Sequence, residues 1–464
     1  AIYTYAGHTL GDITGDFIGN YAEGVVENTS GGAINNYGST IGKITGNFIG
    51  NYASNVNGNA YGGAINHYWR AEIGDITGDF IGNYAKTVSG EAQGGAIWMM
   101  HNGNKLNNIT GDFIGNYAES DAGTAYGGAI YNNSFLEGEP SITSITGDFI
   151  DNHVKGSSVY GGAIYNTNTI GDIDGDFYNN YALGSSTAAN VSHIYASGGA
   201  VYNAYSDSAL GTITGNFINN YIQIDTPVSS YAYLQGGAIY SQGTIAGLVG
   251  YFINNHIESE YNAYTNGGAI YNSGTIDNIQ GGFYGNYIDT KFGNANGGAI
   301  YNYKTITNIE ADFVDNRVSS ESAVGGAINN NYGGQIGTLS GNFSGNSAVA
   351  SQANALGGAI SNYNVINTLN GDFTDNLAQS VSSAFGGAIY NSSSINEINS
   401  NFSGNIADGK TDARGGAVYN AGNLGFEMDY VKGVFANNEA RSENYAAGGA
   451  VYNSNYIGTG LSNS

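Results

Sequence analysis

The sequence predicts an all-β fold: a right-handed parallel β-helix, or β-solenoid, of about fourteen coils of ~30 residues with three short strands per coil. Three observations carry this. Gly-Gly-Ala-(Ile/Val) recurs fourteen times, from Gly31 to Gly448, at spacings of 28 to 38 residues. Phe-x-x-Asn also recurs fourteen times, from Phe17 to Phe435, and the two segments alternate strictly. Between them the apolar residues fall in short groups with no helical period, broken by the turn formers Gly, Asn, Asp and Ser.

Aligned on its Phe, each repeat has one skeleton. Seven residues earlier stands Leu or Ile (Leu10, Ile41, Ile73, Leu106), and four earlier Ile13, Ile44, Ile76 or Ile109. Five residues later comes a small or branched apolar residue such as Ala22, Ala53, Ala85 or Val154, then a polar stretch and the next Gly-Gly-Ala-Ile. One such turn cannot bury its own Ile and Phe. A second copy stacked ~4.8 Å along the axis can, each fully buried side chain contributing ~1.5–3 kcal/mol. The handedness follows the rule for parallel crossovers. In Gly-Gly-Ala-Ile-Tyr-Asn the Ile points inward, so by alternation the Tyr points outward. The following Asn (Asn132, Asn166, Asn302, Asn362) and the Asn closing each Phe-x-x-Asn are expected to stack as amide ladders. The Gly pairs supply positive φ or a tight turn.

The whole chain, 1–464, reads as a single repeat domain. Both ends fall inside a repeat, and the expectation is either a piece of a longer chain or a filament subunit whose ends stack head to tail. With 37 acidic against 12 basic residues the formal charge is −25, which repels phosphate backbones and anionic lipid, so nucleic acid is not an expected partner. Cysteine is absent, which excludes disulfides, thiolate metal sites and Cys nucleophiles. No run of 18 apolar residues occurs, so direct membrane insertion as a helix is not expected.

Alternating Gly-Gly-Ala-(Ile/Val) and Phe-x-x-Asn over practically the whole chain resembles the repeat of the chlamydial polymorphic outer-membrane proteins and, more broadly, β-helical autotransporter passengers. The resemblance implies an extracellular β-helix on a bacterial cell surface, acting in adhesion. Two features depart from that family: this sequence shows no C-terminal barrel pattern and contains no Cys.

The resulting expectation is a non-enzymatic surface adhesin or structural fibre subunit. Its partners would be host or neighbouring-cell surface glycans or proteins, or further copies of itself. The alternative is a carbohydrate-active β-helix of the polysaccharide lyase or hydrolase kind. That chemistry needs clustered carboxylates beside a basic group. Arg70, Arg317, Arg414 and Arg441 lie in separate repeats, the six His are equally scattered, and the densest acidic group, Asp172, Asp174 and Asp176, has no basic residue at its position in neighbouring coils. His153 and His256 occupy a position otherwise held by Tyr and read as substituted ladder members. No catalytic residue and no obligatory cofactor is assigned.

Two further features are candidates. Asp79, Asp112, Asp148 and Asp176 precede Phe in consecutive coils; neighbours ~4.8 Å apart repel by about 1 kcal/mol even in water, and Ca²⁺ would relieve this. The competing expectation is that each Asp bonds its own turn, since Asn47, Asn216 and Asn342 hold the same position. Longer loops at 183–197, 223–235 and 258–266 fall on one corner, and insertions on one face of a solenoid often mark its binding side. Their aromatics, Tyr195, Tyr231, Tyr233, Tyr261 and Tyr264, are the expected recognition patch. The outward Tyr rows themselves are expected to stabilise the parallel strands or, where exposed, to form an adhesive surface.

Overall fold

The structure, a computed structural model, describes residues 1–133, 141–187, 192–227, 231–421, 427–428, 431–454 and 456–457. The described regular structure is all β-strand, in about fourteen parallel stacked coils. The chain forms two compact units, Ala1–Val249 and Gly250–Ser464, each holding seven Phe-x-x-Asn segments.

Within each unit a coil crosses three parallel sheets. The first takes the residues after Gly-Gly-Ala, as in Ile65–Tyr68 and Ile270–Asn272. The second leads to and includes the Phe. It is divided into Glu72–Ile73, Ile76–Thr77 and Phe80–Ile81 in one coil, and runs unbroken as Thr275–Tyr284 in another. The third begins four residues after Phe, as Tyr84–Thr87 with Ala92–Gln93, or as the single strand Tyr287–Asn296. The three apolar segments of the repeat thus become three sheets, the second and third of which turns subdivide in most coils.

Like pairs with like from coil to coil. In the first unit Phe48, Phe80 and Phe113 are in register, as are Ile65, Ile97 and Ile130; in the second, Phe283, Phe313 and Phe343. The Phe rings are fully buried from Phe48 to Phe217 and from Phe252 to Phe402. Within each unit successive rings lie 4.6–5.0 Å apart with planes within 11°. Each ring therefore adds stacking of about 0.5–1.5 kcal/mol to its burial.

The two glycines of Gly-Gly-Ala have different tasks. Gly94 has φ 64°, the left-handed region that a side chain disfavours. A Cβ on Gly95 would stand 2.0 Å from the Gly128 carbonyl oxygen and 2.4 Å from that of Tyr117. One glycine turns the chain; the other lets three backbone segments meet.

The Asn of Phe-x-x-Asn forms the internal scaffold. Asn83 donates Nδ2–H to Asn116 Oδ1 at 3.0 Å and to the Phe48 carbonyl at 2.8 Å, while its backbone N–H donates to the same Asn116 Oδ1 at 3.0 Å. Its own Oδ1 accepts from the N–H and Nδ2 of Asn51, both at 2.9 Å. Four side-chain bonds use the full capacity of a carboxamide. This pattern repeats from Asn51 to Asn180 in the first unit and from Asn286 to Asn405 in the second. The expected ladder after Ile-Tyr is also present. It is unbroken from Asn272 through Asn302, Asn330, Asn362, Asn391 and Asn420 to Asn453, at 2.7–2.9 Å.

In the first unit that second ladder is interrupted by His67 and Met99, both fully buried. His67 Nε2 meets the Lys105 carbonyl at 3.2 Å and Nδ1 faces Asn36 Nδ2 at 3.5 Å, so a neutral ring with hydrogen on Nε2 fits both neighbours. Burial depresses its pKa from 6.5 to about 4.

Two predictions follow from these ladders. Asn116→Ala leaves the N–H and Nδ2 of Asn83 without their acceptor, takes the side-chain donor from the Phe80 carbonyl and removes one of the two donors of Asn152 Oδ1, the backbone N–H of residue 116 remaining, so the loss should be about 4 kcal/mol. Asn116→Asp should do no better, because its second oxygen would face two acceptors. Urea unfolding followed by circular dichroism measures both, and a midpoint like that of the native chain would show that the ladder is dispensable. For His67, the unfolded chain binds a proton that the folded chain refuses between pH 6.5 and about 4. Stability should therefore be lost as pH falls through that window, by up to about 3 kcal/mol. His67→Asn should flatten this part of the pH profile.

Candidate functional site

The sequence-nominated tyrosines divide between the units. In the first, Tyr195 pairs with Tyr233 and His193 with Tyr231 along the strands His193–Ser197 and Tyr231–Gln235. Tyr195 and Tyr233 stack at 5.1 Å with planes 8° apart, and the His193 ring lies 6.4 and 6.2 Å from them. Tyr195 and Tyr231 are exposed and Tyr233 is half-buried. In the second unit Tyr261 and Tyr264 belong to His256–Asn266. The expected loop at 258–266 is therefore a strand with a bulge between Ser259 and Asn262, because Ile257, Ser259, Ala263 and Thr265 alternate inward. Parts of the other two segments, 188–191 and 228–230, lie outside the described residues.

The Asp row is an inter-coil ladder. Oδ1 of Asp79, Asp112 and Asp148 accepts the backbone N–H of Asp112, Asp148 and Asp176 at 2.8–2.9 Å, and Asp176 Oδ1 accepts that of Asn216 at 2.7 Å. The expectation that each Asp bonds its own turn is corrected. The acceptor reaches the next coil because the flanking turns stack in register. Asn47 does the same for Asp79 at 2.9 Å, which explains why Asp and Asn interchange there. Among the described residues no set of three or more His, Cys, Asp or Glu is gathered to hold a metal ion. A cation on this row would meet one carboxylate per coil. Of the densest acidic group, Asp172 also binds the next coil, accepting the Thr212 N–H at 2.8 Å.

Both aromatic rows stack. After Phe, the row Tyr52, Tyr84, Tyr117, His153, Tyr181 and Tyr221 has ring spacings of 4.6–5.0 Å, so His153 is a ladder member as expected. His256 likewise lies on Tyr287 at 4.7 Å. His153 and Lys86 hold Glu119 at 3.3 and 2.8 Å and keep its carboxyl down at about 2, the His153 hydrogen bond having the larger effect. The row after Ile is far less exposed than outward pointing suggested: Tyr131 and Tyr165 are 6% and 7% exposed. The cause is a second column, the residue preceding Gly-Gly. Tyr126 packs edge-on against Tyr131 and Tyr165 at 6.0 and 5.0 Å, and Tyr160 against Tyr165 at 6.4 Å. Burial raises the phenol pKa of Tyr165 and Tyr202 far above the usual value.

The tyrosine position is vacated in two consecutive coils of each unit, Asn329 and Ser361 in the second, and in the first unit this opens a groove that sequence reasoning missed. In two consecutive coils the tyrosine position holds Asn35 and Asn66, followed by Trp98. The shorter amides leave a groove of about 260 Å³ with Asn35 and Asn66 on its floor, Tyr37 and Tyr68 to one side, and Ser30 and Tyr61 to the other. The signal was available: Ile34-Asn35 and Ile65-Asn66 replace Ile-Tyr in adjacent copies.

No protein-family model matches the chain, and neither the curated proteins nor the solved structures contain a match.

The Asp row yields a test. Asp112→Ala removes the acceptor of the Asp148 N–H and should cost about 1 kcal/mol, whereas Asp112→Asn keeps an acceptor, relieves repulsion and should be neutral or stabilising. Melting each protein with Ca²⁺ and with chelator settles the cation: equal midpoints in the native chain would remove Ca²⁺ from this row.

Proposed function

We propose that this chain is a non-enzymatic extracellular β-solenoid on a bacterial surface, serving as an adhesin passenger or a structural fibre subunit. The observation that carries the reading is the commitment of its polar groups to coil-to-coil ladders. The Phe-x-x-Asn amides, the Asp79–Asp176 row and the stacked His153 all spend their chemistry on the neighbouring coil. Such columns suit a stiff, acid-rich scaffold that presents side chains at a fixed pitch. Among the described residues no helix is long and apolar enough to cross a membrane, and the proposal places no part of this chain in one. The resemblance to chlamydial polymorphic outer-membrane protein repeats supports the same location and role.

Incubation with neutral and acidic polysaccharides should release neither reducing ends nor unsaturated products, and labelled chain should be retained on cell surfaces. Product release would replace this reading with the carbohydrate-active one. Negative-stain imaging over a range of concentrations separates its two forms: filaments one coil wide mark a fibre subunit, and separate particles throughout mark an adhesin passenger.

A further inference from the structure

We propose that the groove over Asn35 and Asn66 is a binding site for a neutral carbohydrate, taking a terminal sugar residue of a glycan. The inference deepens the adhesion reading, from which it takes only that the glycan is displayed on a surface.

The groove contains a prepared aromatic platform. Tyr61 stacks on Trp98 with centroids 4.6 Å apart and planes 14° apart. Asn59 Nδ2 donates to its hydroxyl at 2.6 Å, and Trp98 Nε1 donates to Gln93 Oε1 at 2.7 Å, so both rings are held from behind. In the preceding coil the residue in register with Tyr61 is Ser30. Ser30 has no ring, and the second face of Tyr61 is left to the groove, which both residues line. A flat, immobilised ring face with one open side is what the C–H face of a pyranose packs against, at little entropic cost to the protein.

The polar groups beside that face suit hydroxyls. Asn66 Nδ2 donates to Asn35 Oδ1 at 2.9 Å, and Asn35 Nδ2 to Ser30 Oγ at 3.0 Å, giving a fixed line of amides across the floor. Asn66 is 5% exposed and its Oδ1 has no donor, an arrangement that leaves a buried acceptor unsatisfied. A sugar hydroxyl, which both donates and accepts, complements such a line. The lining residues are Tyr, Trp, Asn and Ser, with no Lys, Arg or His to pair a carboxylate or sulfate. The chain's charge of −25 further disfavours acidic sugars. A proline-rich peptide also uses aromatic grooves, but it needs apolar troughs between ridges rather than a floor of carboxamides.

The rim carries a second sign of a specialised site. Trp69 and Arg70 have φ of 60° and 57°, a conformation that side chains avoid, and Trp69 is 44% exposed while packing on Tyr37 at 5.5 Å. The strained turn holds an exposed indole against the wall of the groove.

The test uses the whole chain with gluco-, galacto- and manno-configured neutral tetrasaccharides, read by saturation-transfer NMR and titration calorimetry. At least one should bind. Asn66→Tyr, which fills the floor as Tyr131 does two coils on, and Tyr61→Ala should each weaken it about tenfold or more. Asn66→Tyr follows the repeat and should melt like the native chain, so its loss of binding would not reflect unfolding; Tyr332→Ala, at an exposed tyrosine of the second unit outside both patches, should bind normally. Failure of all three sugars to bind, unchanged binding in both groove variants, or retention of a polyproline peptide in their place would overturn the assignment. Recovery of the bound sugar in cleaved form would instead leave the site standing and defeat the non-enzymatic reading.

Discussion

The architecture depends on a carboxamide that cannot be satisfied within its own coil. The Asn of Phe-x-x-Asn is wholly buried from Asn51 to Asn405, and a buried amide without partners costs more than most single contacts return. Its four partners are the carbonyl of a Phe in the preceding coil, the next Asn's oxygen, and the backbone and side-chain donors of the previous Asn. Only stacked copies at one register supply all four. The amide therefore fixes register more sharply than the Ile and Phe columns, which would tolerate a small slide. A slip of one residue would also turn every inward side chain outward.

Once register is set, each repeat position becomes a column, and the chemistry of the column is decided by its most frequent occupant. Phe and Ile make the core, Asn the internal hydrogen-bonded lines, Asp or Asn an acceptor row outside, Tyr two stacked rows. A rare occupant changes a column locally. His67 and Met99 break one amide line and introduce a group that resists protonation. Asn35 and Asn66 leave a gap in the aromatic seam of the first unit. Gly-Gly-Ala tolerates no such variation at its second glycine, where a Cβ would lie 2.0 Å from the Gly128 carbonyl oxygen at Gly95 and similarly close in other copies. Binding chemistry on this scaffold belongs where a column departs from its own rule.

The carboxylates illustrate how a column can mislead when read without its neighbours. Asp79, Asp112, Asp148 and Asp176 form the regular row their spacing announces, yet each already has a backbone donor in the following coil. Glu119, by contrast, lies in no acidic row but is held between His153 and Lys86. The charge environment is set by what stacks above and below, some thirty residues away in the chain.

The amino-acid sequence by itself determined the fold class, the number of coils and the content of the internal columns. All of these rest on strict periodicity and on the inward or outward sense that alternation assigns. It also placed His153 and His256 in the tyrosine row from position alone. The tertiary structure decided how exposed the outward residues are. Tyr131 and Tyr165 point away from the core but are covered by Tyr126 and Tyr160, which precede the glycine pair and meet them only after the chain turns. It likewise decided that 258–266 is strand, since pairing with the neighbouring coil overrides a polar composition. The groove beside Tyr61 was visible in the sequence as two misplaced asparagines. Its walls were not, because they are built from adjacent columns whose side-by-side placement only the fold creates.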